Sequence, residues 1–151
     1  MKKILLLITI SFFFAINCKE KTEEQVEPKG VYFIEPQDGA EVTNPVKIKM
    51  GVGGMEVVPA GEIKEGTGHH HIIIDGPDYI EAGQVIPSDE KHLHFGQGQT
   101  ETELNLPPGE HTLTLQFADG EHKSYGKEWA KKIKIIVKET EEQSNTNQEK
   151  K

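Results

Sequence analysis

Three consecutive histidines, His69, His70 and His71, run directly into three isoleucines in the middle of the chain. Neutral imidazole is a good metal ligand, and its charge changes near neutral pH. Placing such rings beside an apolar strand is unfavourable unless their nitrogens find partners. The triplet therefore predicts where the functional surface of the protein lies.

The remaining histidines all follow the triplet, and they are His92, His94, His111 and His122. In an extended strand, residues i and i+2 point to the same face, about 7 Å apart. His69 and His71 are therefore predicted to share one face, with His70 on the opposite one. His92 and His94 form a second pair of this kind if their segment is extended.

The leading hypothesis is a divalent metal site built from these histidine pairs. Three or four imidazoles brought together across a sheet edge suit zinc or Cu(II), whereas Cu(I) would prefer sulfur. Asp75, Asp89 and Asp119 are predicted to orient the ring nitrogens. We expect such a site to bind weakly below about pH 6, because imidazole then protonates. The predicted metal ligands are His69, His71, His92, His94 and His122.

A structural interpretation of the histidines stays open beside the metal hypothesis. A buried histidine at the start of a strand can bond a backbone carbonyl and a hydroxyl, and His70 fits that description best. His111, after a Pro-Pro-Gly sequence, is expected to serve a turn. The domain would then be a non-catalytic adhesion or envelope-interaction module, and a pocket for an organic ligand or a partner is a third alternative.

No enzyme is predicted. The predicted folded segment contains no cysteine nucleophile, and its two serines, Ser88 and Ser124, lack a G-x-S-x-G setting. P-loops and nucleotide-binding fingerprints are also missing from the sequence.

The charge of the chain argues against nucleic-acid binding. Its 151 residues carry a formal net charge of -8, and every one of the 17 basic residues is lysine, against 25 acidic residues. Nucleic-acid recognition uses basic patches and bidentate guanidinium contacts, which an acidic chain without arginine does not supply. Such a charge favours solubility and attracts cations.

The N-terminus resembles a secretory leader. Two lysines precede an apolar run over residues 4–16, which is too short to cross a bilayer as a stable helix. Cys18, the only cysteine, follows at once and is the predicted lipidation site of a bacterial lipoprotein with a signal peptide over residues 1–17. Asn17 departs from the usual small-residue lipobox, so the alternative is an ordinary cleaved signal peptide. We expect a lipid anchor in a bacterial membrane of the cell envelope, on its periplasmic or surface side.

Polar segments flank the predicted folded unit. Residues 18–29 are predicted to carry the lipidated cysteine and a charged tether that is too polar to fold, and residues 139–151 are predicted to form a disordered tail. Between them, over residues 30–138, apolar residues alternate with period two, and turn signals recur every eight to twelve residues or so. The pattern predicts one all-β domain, an immunoglobulin-like antiparallel β-sandwich of about seven strands without the usual disulfide.

A long segment rich in glycine and proline, residues 76–91, joins the two histidine groups. Segments of this length are usually functional or poorly ordered. One interpretation is a flap over the histidines, with Tyr79 and Ile80 as its apolar contacts. The other, which we favour, is an ordinary crossover between two sheets.

An ordered series of short motifs runs through the folded segment. They are residues 33–40 (FIEPQDGA), 68–72 (GHHHI), 92–96 (HLHFG), 98–101 (GQTE), 106–109 (LPPG), 111–113 (HTL) and 118–122 (ADGEH). In these motifs the chain resembles the bacterial family called domain of unknown function 4399, over essentially the whole folded segment. The resemblance implies a small exported domain with no established activity, and it supplies no mechanism. It draws attention to His69, His70, His71, His94 and His122.

Overall fold

The computed structural model describes residues 29–139, which form a single all-β domain. The predicted signal peptide, Cys18, the tether up to residue 28 and the tail from residue 140 lie outside the described residues. Among the described residues, no helix has the length and apolar character needed to cross a membrane. The elements are β1 (Gly30–Glu35), β2 (Ala40–Thr43), β3 (Val46–Gly53), β4 (Glu56–Val57), β5 (Thr67–Ile74), β6 (His92–His94), β7 (Glu101–Leu104), β8 (Gly109–Ala118), a short 3₁₀ helix (Lys127–Trp129) and β9 (Ala130–Lys138).

The strands form two sheets. The smaller sheet has the order β1-β3-β7, and the larger has the order β2-β9-β8-β5-β4, with β6 also paired to β5. The prediction of an all-β single domain is confirmed, and the immunoglobulin-like topology stays a prediction. The antiparallel prediction is wrong for two pairs, β2–β9 and β4–β5, which are parallel. Parallel strands cannot be joined by a two-residue hairpin turn, and residues 58–66 connect the end of β4 to the start of β5.

The core lies between the two sheets and follows the predicted alternation. In β3, Ile48 and Met50 are buried, with exposures of 0 % and 2 %. In β8, Leu113, Leu115 and Phe117 are fully buried and belong to the same core cluster. Because side chains alternate between the faces of a strand, the residues between them in β8 lie on the outer face of the larger sheet.

The strand β5, which carries the histidine triplet, is covered along both edges. On one side β8 pairs with it over residues 69–74. On the other side β4 pairs with Thr67 and Gly68, and β6 pairs with residues 71–73. Every residue from Thr67 to Ile73 is buried. The histidine triplet therefore lies in a strand that is buried over seven consecutive residues.

The segment 76–91 covers the outer face of this sheet. It leaves β5 and returns through β6 to the same strand, so the prediction of a crossover between sheets is wrong. Hydrogen bonds to β8 hold it there: the Thr114 hydroxyl donates to the Pro77 carbonyl at 2.8 Å, and the Ile80 N–H donates to Gln116 Oε1 at 2.9 Å. Tyr79, expected to contact the histidines, donates instead to Glu81 at 3.3 Å.

The buried side chain of Gln116, in β8, hydrogen-bonds the segment 76–91 to the larger sheet. Its Oε1 accepts the Ile80 N–H, and its Nε2 donates to the carbonyls of Gly126 at 3.1 Å and Trp129 at 3.0 Å. Each of these backbone groups would lose a partner if the amide were replaced by an apolar side chain. A buried polar group without a partner is costly.

We predict that Gln116→Leu lowers the free energy of unfolding by about 2–4 kcal/mol, because a stranded buried polar group costs about 1–3 kcal/mol. Urea denaturation followed by circular dichroism measures the change. The matched control is Gln84→Leu in the exposed part of the same segment, with an expected change within about 0.5 kcal/mol. Equal effects of the two substitutions would contradict the role assigned to Gln116.

Candidate metal centre

Four histidines meet on the outer face of the larger sheet. They are His69, His71, His94 and His122, and each offers a ring nitrogen within 4.8 Å of those of the other three. His71 Nε2 lies 2.9 Å from His69 Nε2, which lies 3.1 Å from His122 Nδ1. The ring centroids are between 4.6 and 6.0 Å apart. We call these four residues the histidine quartet.

Strand geometry brings three members of the quartet together. His69 and His71 share the outer face of β5 because they are two residues apart, and both are buried, with exposures of 0 % and 2 %. The antiparallel pairing of β5 with β6 places His94 directly opposite His71. His94 is exposed. The i, i+2 reasoning from the sequence therefore groups His69 and His71, which we call the inner pair, whereas the choice of His94 over His92 comes from the pairing of β5 with β6.

The fourth member, His122, comes from the turn that follows β8. Its backbone has a φ of +65°, which is uncommon for a residue with a side chain. Asp119 Oδ1 accepts the N–H groups of Glu121 and Lys123, both at 2.9 Å. The His122 N–H donates to the Asp119 carbonyl at 3.0 Å, and its carbonyl accepts the Ile86 N–H at 2.9 Å. These contacts hold a strained backbone in place, which is typical of functional sites.

Burial favours the neutral form of three members of the quartet, His69, His71 and His94. Loss of hydration, with smaller contributions from His94 and His122, lowers the pKa of His69 to about 4. Loss of hydration and the neighbouring His69 lower the pKa of His71 to about 2. Burial and His122 also lower the pKa of His94. The unprotonated imidazole is the form that binds metal, so these lowered pKa values favour metal binding by His69 and His71. The expected weak binding below about pH 6 stays a prediction.

His92, a predicted ligand, is not a member of the quartet. In the pairing of β5 with β6, His94 lies opposite His71, whereas His92 lies opposite Ile73, two residues further along the strand. That displacement is about 7 Å along the strand. Its Nδ1 lies 2.8 Å from Asp89 Oδ1, within the turn that starts β6. The His92 ring is therefore hydrogen-bonded within its own turn rather than to the quartet.

The aspartates predicted to orient the metal ligands contact other groups. Asp75 Oδ2 lies 2.8 Å from His111 Nδ1, and Asp89 binds His92. Asp119 holds the turn through backbone groups. His111 Nε2 also donates to the carbonyl of Pro107 at 2.8 Å, so this ring serves the Pro-Pro-Gly turn as expected.

The second nitrogens of the inner pair are unsupported. Within residues 29–139, neither His69 Nδ1 nor His71 Nδ1 has a hydrogen-bond partner. Ligating histidines usually donate their other ring N–H to a carboxylate, a carbonyl or water, and losing that partner costs about 10–100-fold in metal affinity. The quartet thus offers four nitrogen atoms that could bind a metal, but the second ring nitrogens of His69 and His71 lack hydrogen-bond partners.

His70 points to the core, as the alternation of the strand predicts. Its ring meets that of Phe117 edge-on, with the centroids 5.1 Å apart. The expected bonds to a carbonyl and a hydroxyl are not formed: among the described residues neither ring nitrogen has a partner. The surrounding face is apolar, and burial lowers the pKa of His70 to about 4.

Sequence reasoning missed the contribution of Gly96. A Cβ at this position would overlap Cε1 and Nε2 of the His94 ring. The absence of a side chain at residue 96 therefore leaves space for the exposed ring of His94. The signal available in the sequence is the glycine two residues after His94.

Comparison with known proteins gives one match. The model of the family described as "Domain of unknown function (DUF4399)" matches residues 48–138. That range contains the whole quartet but not β1, β2 or the motif at residues 33–40, so it is shorter than the resemblance suggested. No curated protein and no solved structure matches the chain.

We predict that the metal-free protein loses stability as the pH falls from 6.5 towards 4. Folding lowers the pKa of His69 and of His70 from 6.5 to about 4. The unfolded chain therefore binds protons in this window that the folded chain does not, so acid favours unfolding. The free energy of unfolding should fall by at least about 1.4 kcal/mol per pH unit, the value for one histidine. Urea denaturation in the presence of a chelator, at half-unit pH steps, measures the slope.

Carboxylates do not account for a slope in this window. The pKa values of Asp75 and Asp89 are lowered from 3.8, so both titrate below it. His70→Leu is the informative variant, because it removes one buried imidazole that has no hydrogen bond. Its slope should be smaller than that of the wild type. A wild-type stability that is flat between pH 6.5 and 4 would contradict the prediction.

Proposed function

This chain belongs to the family described as a domain of unknown function (DUF4399), and we propose that it binds one zinc or Cu(II) ion through the histidine quartet. The observation that carries the proposal is the convergence of four ring nitrogens within 4.8 Å of one another. Nitrogen donors suit both ions. The quartet contains no carboxylate, which Mg²⁺ and Ca²⁺ would require.

Hydrogen bonds alone do not satisfy the central nitrogen of the quartet. His69 Nε2 lies 2.9 Å from one ring nitrogen and 3.1 Å from another. A neutral imidazole nitrogen carries either one hydrogen or one lone pair, so it can serve only one of these neighbours well. A metal ion would accept a lone pair from every ring at once. Two nitrogens bound tetrahedrally to zinc are about 3.3 Å apart, given Zn–N bonds of about 2.0–2.1 Å, which is close to both observed separations.

The sulfur atoms within residues 29–139 do not favour Cu(I). Met50 is buried in the core at 2 % exposure, and Met55 packs against the same core cluster. Cu(I) sites usually use thiolate or thioether ligands. A site made only of imidazoles supports zinc or Cu(II) as the ion.

The proposed activity is binding rather than catalysis, at the surface of a bacterial membrane. The leader and Cys18 support a lipid anchor and a place in the cell envelope. The strongly acidic chain attracts cations towards the domain.

A second function, an envelope-interaction module with structural histidines, is favoured by one observation. The inner pair is almost fully buried and linked by a contact of 2.9 Å between ring nitrogens. If these contacts were only structural, substitutions in the quartet would lower the melting temperature equally with and without metal. The two functions therefore differ in a measurable way.

We predict that the full chain, purified in detergent and dialysed against zinc or Cu(II), retains about one equivalent of metal. His94→Ala should retain less than about one tenth of that at the same free metal concentration, because one of four ligands is lost. His94 is exposed, so the variant should fold. Elemental analysis and thermal denaturation with and without metal give the readouts.

The matched control for His94→Ala is His92→Ala. Both residues lie in β6, two positions apart, but His92 contacts Asp89 and is not in the quartet. This control should retain as much metal as the wild type. Wild-type retention below half an equivalent, or equal loss in the two variants, would overturn the proposed site.

We also predict that the Asp119 turn sets metal affinity through the position of His122. Asp119→Ala removes the acceptor of two backbone N–H groups and should weaken metal binding about tenfold. Asp119→Asn keeps an oxygen acceptor and should bind nearly as well as the wild type. Isothermal titration with zinc measures both. If Asn were as damaging as Ala, the carboxylate charge rather than the turn would be responsible.

A further inference from the structure

The quartet has an enclosed side and an open side. On this asymmetry, and resting on the proposed function, we infer that the domain passes its metal ion directly to another set of nitrogen or oxygen ligands, which enter beside His94. The enclosed side is formed by the inner pair at 0 % and 2 % exposure, whereas His94 is exposed and His122 is half-buried. An incoming donor can therefore reach the ion only from the side of the outer ligands.

The inner pair forms a fixed support. His69 and His71 come from one strand that is hydrogen-bonded along both edges, so their backbone stays in place while the ion leaves them. His122 is held by its turn and by the N–H of Ile86. His94 is the ligand whose ring stands in solvent, above the space left by Gly96. It is therefore the first ligand to leave.

The segment 76–91 does not have to move before an incoming ligand can reach the ion. The segment 76–91 is hydrogen-bonded to the sheet at Ile80 and to the turn at Ser124 and His122. With the segment held in this position, His94 is still exposed. The segment is thus a fixed cover on one side of the site, so the flap interpretation is not needed for exchange.

The unsupported nitrogens of the inner pair favour transfer over permanent retention. Each lacks a hydrogen-bond acceptor within residues 29–139, whereas the second ring N–H of a ligating histidine is usually held by a carboxylate, a carbonyl or water, which strengthens binding. A site with four donors but without this support binds selectively, yet releases its ion when better ligands compete. That combination suits delivery or reception of an ion.

The transfer is a ligand substitution without a change of oxidation state. The lone pair of an incoming nitrogen or oxygen forms a bond to the ion, which becomes five-coordinate, a geometry that zinc tolerates. The bond between the ion and His94 then breaks, and the neutral imidazole keeps its electron pair. Further donors replace His122 and finally the inner pair.

The order of the release reaction tests the inference. The full chain in detergent is loaded with zinc and mixed in a stopped-flow instrument with a coloured chelator such as 4-(2-pyridylazo)resorcinol. For direct transfer, the rate should rise about tenfold when the chelator concentration rises tenfold, as a bimolecular step requires. A release rate that does not depend on chelator concentration would overturn the inference.

Two variants locate the entry point. His94→Ala leaves a coordination position open, so zinc bound under saturating conditions should transfer about tenfold faster than in the wild type. His92→Ala, on the same strand, should transfer at the wild-type rate. Equal rates for His94→Ala and the wild type would exclude entry beside His94.

The two proposals fail in different ways. A chain that retains no zinc overturns the proposed function, and the inference with it. A chain that retains zinc and loses it only by spontaneous dissociation overturns direct transfer but leaves metal binding intact.

Discussion

The register of β5 is the constraint on which the site depends. Because side chains alternate between the faces of a strand, a slip of one residue would turn His69 and His71 into the core and Ile72 out of it. The register is fixed by hydrophobic packing: Ile72 is fully buried against the core between the two sheets. The core on one face of this strand therefore sets the histidine geometry on the other face.

The same strand combines stabilising and destabilising contributions. Its isoleucines stabilise the fold because they bury apolar surface. Its three imidazoles destabilise it because they lose hydration, and four of their ring nitrogens have no hydrogen-bond partner among the described residues. The domain tolerates this because β8, β4 and β6 satisfy the backbone of β5 along both edges. An ion that bound only the folded quartet would shift the balance further towards the folded state. Such local conflicts between sequence and burial are typical of functional positions.

Much of the fold could be predicted because period-two alternation is a local property. The alternation of Ile48 and Met50, and that of Leu113, Leu115 and Phe117, identifies core strands directly. The parallel pairings of β2 and β4 could not be predicted in this way, because they depend on how distant segments meet. The path of residues 76–91 depends on partly buried hydrogen bonds to Gln116 and Thr114, which no periodic pattern encodes.

For the site, the sequence by itself determined that His69 and His71 share one face of the strand and that His70 lies on the other, since alternation follows from backbone geometry alone. Only the tertiary structure chose between His92 and His94, because the choice depends on the pairing of β5 with β6 and on the Asp89 contact. It also brought in His122, 53 residues from His69, through a strained turn held by tertiary hydrogen bonds. Convergence of this kind is a long-range property: strand periodicity assigns each side chain a face, but packing decides which faces meet.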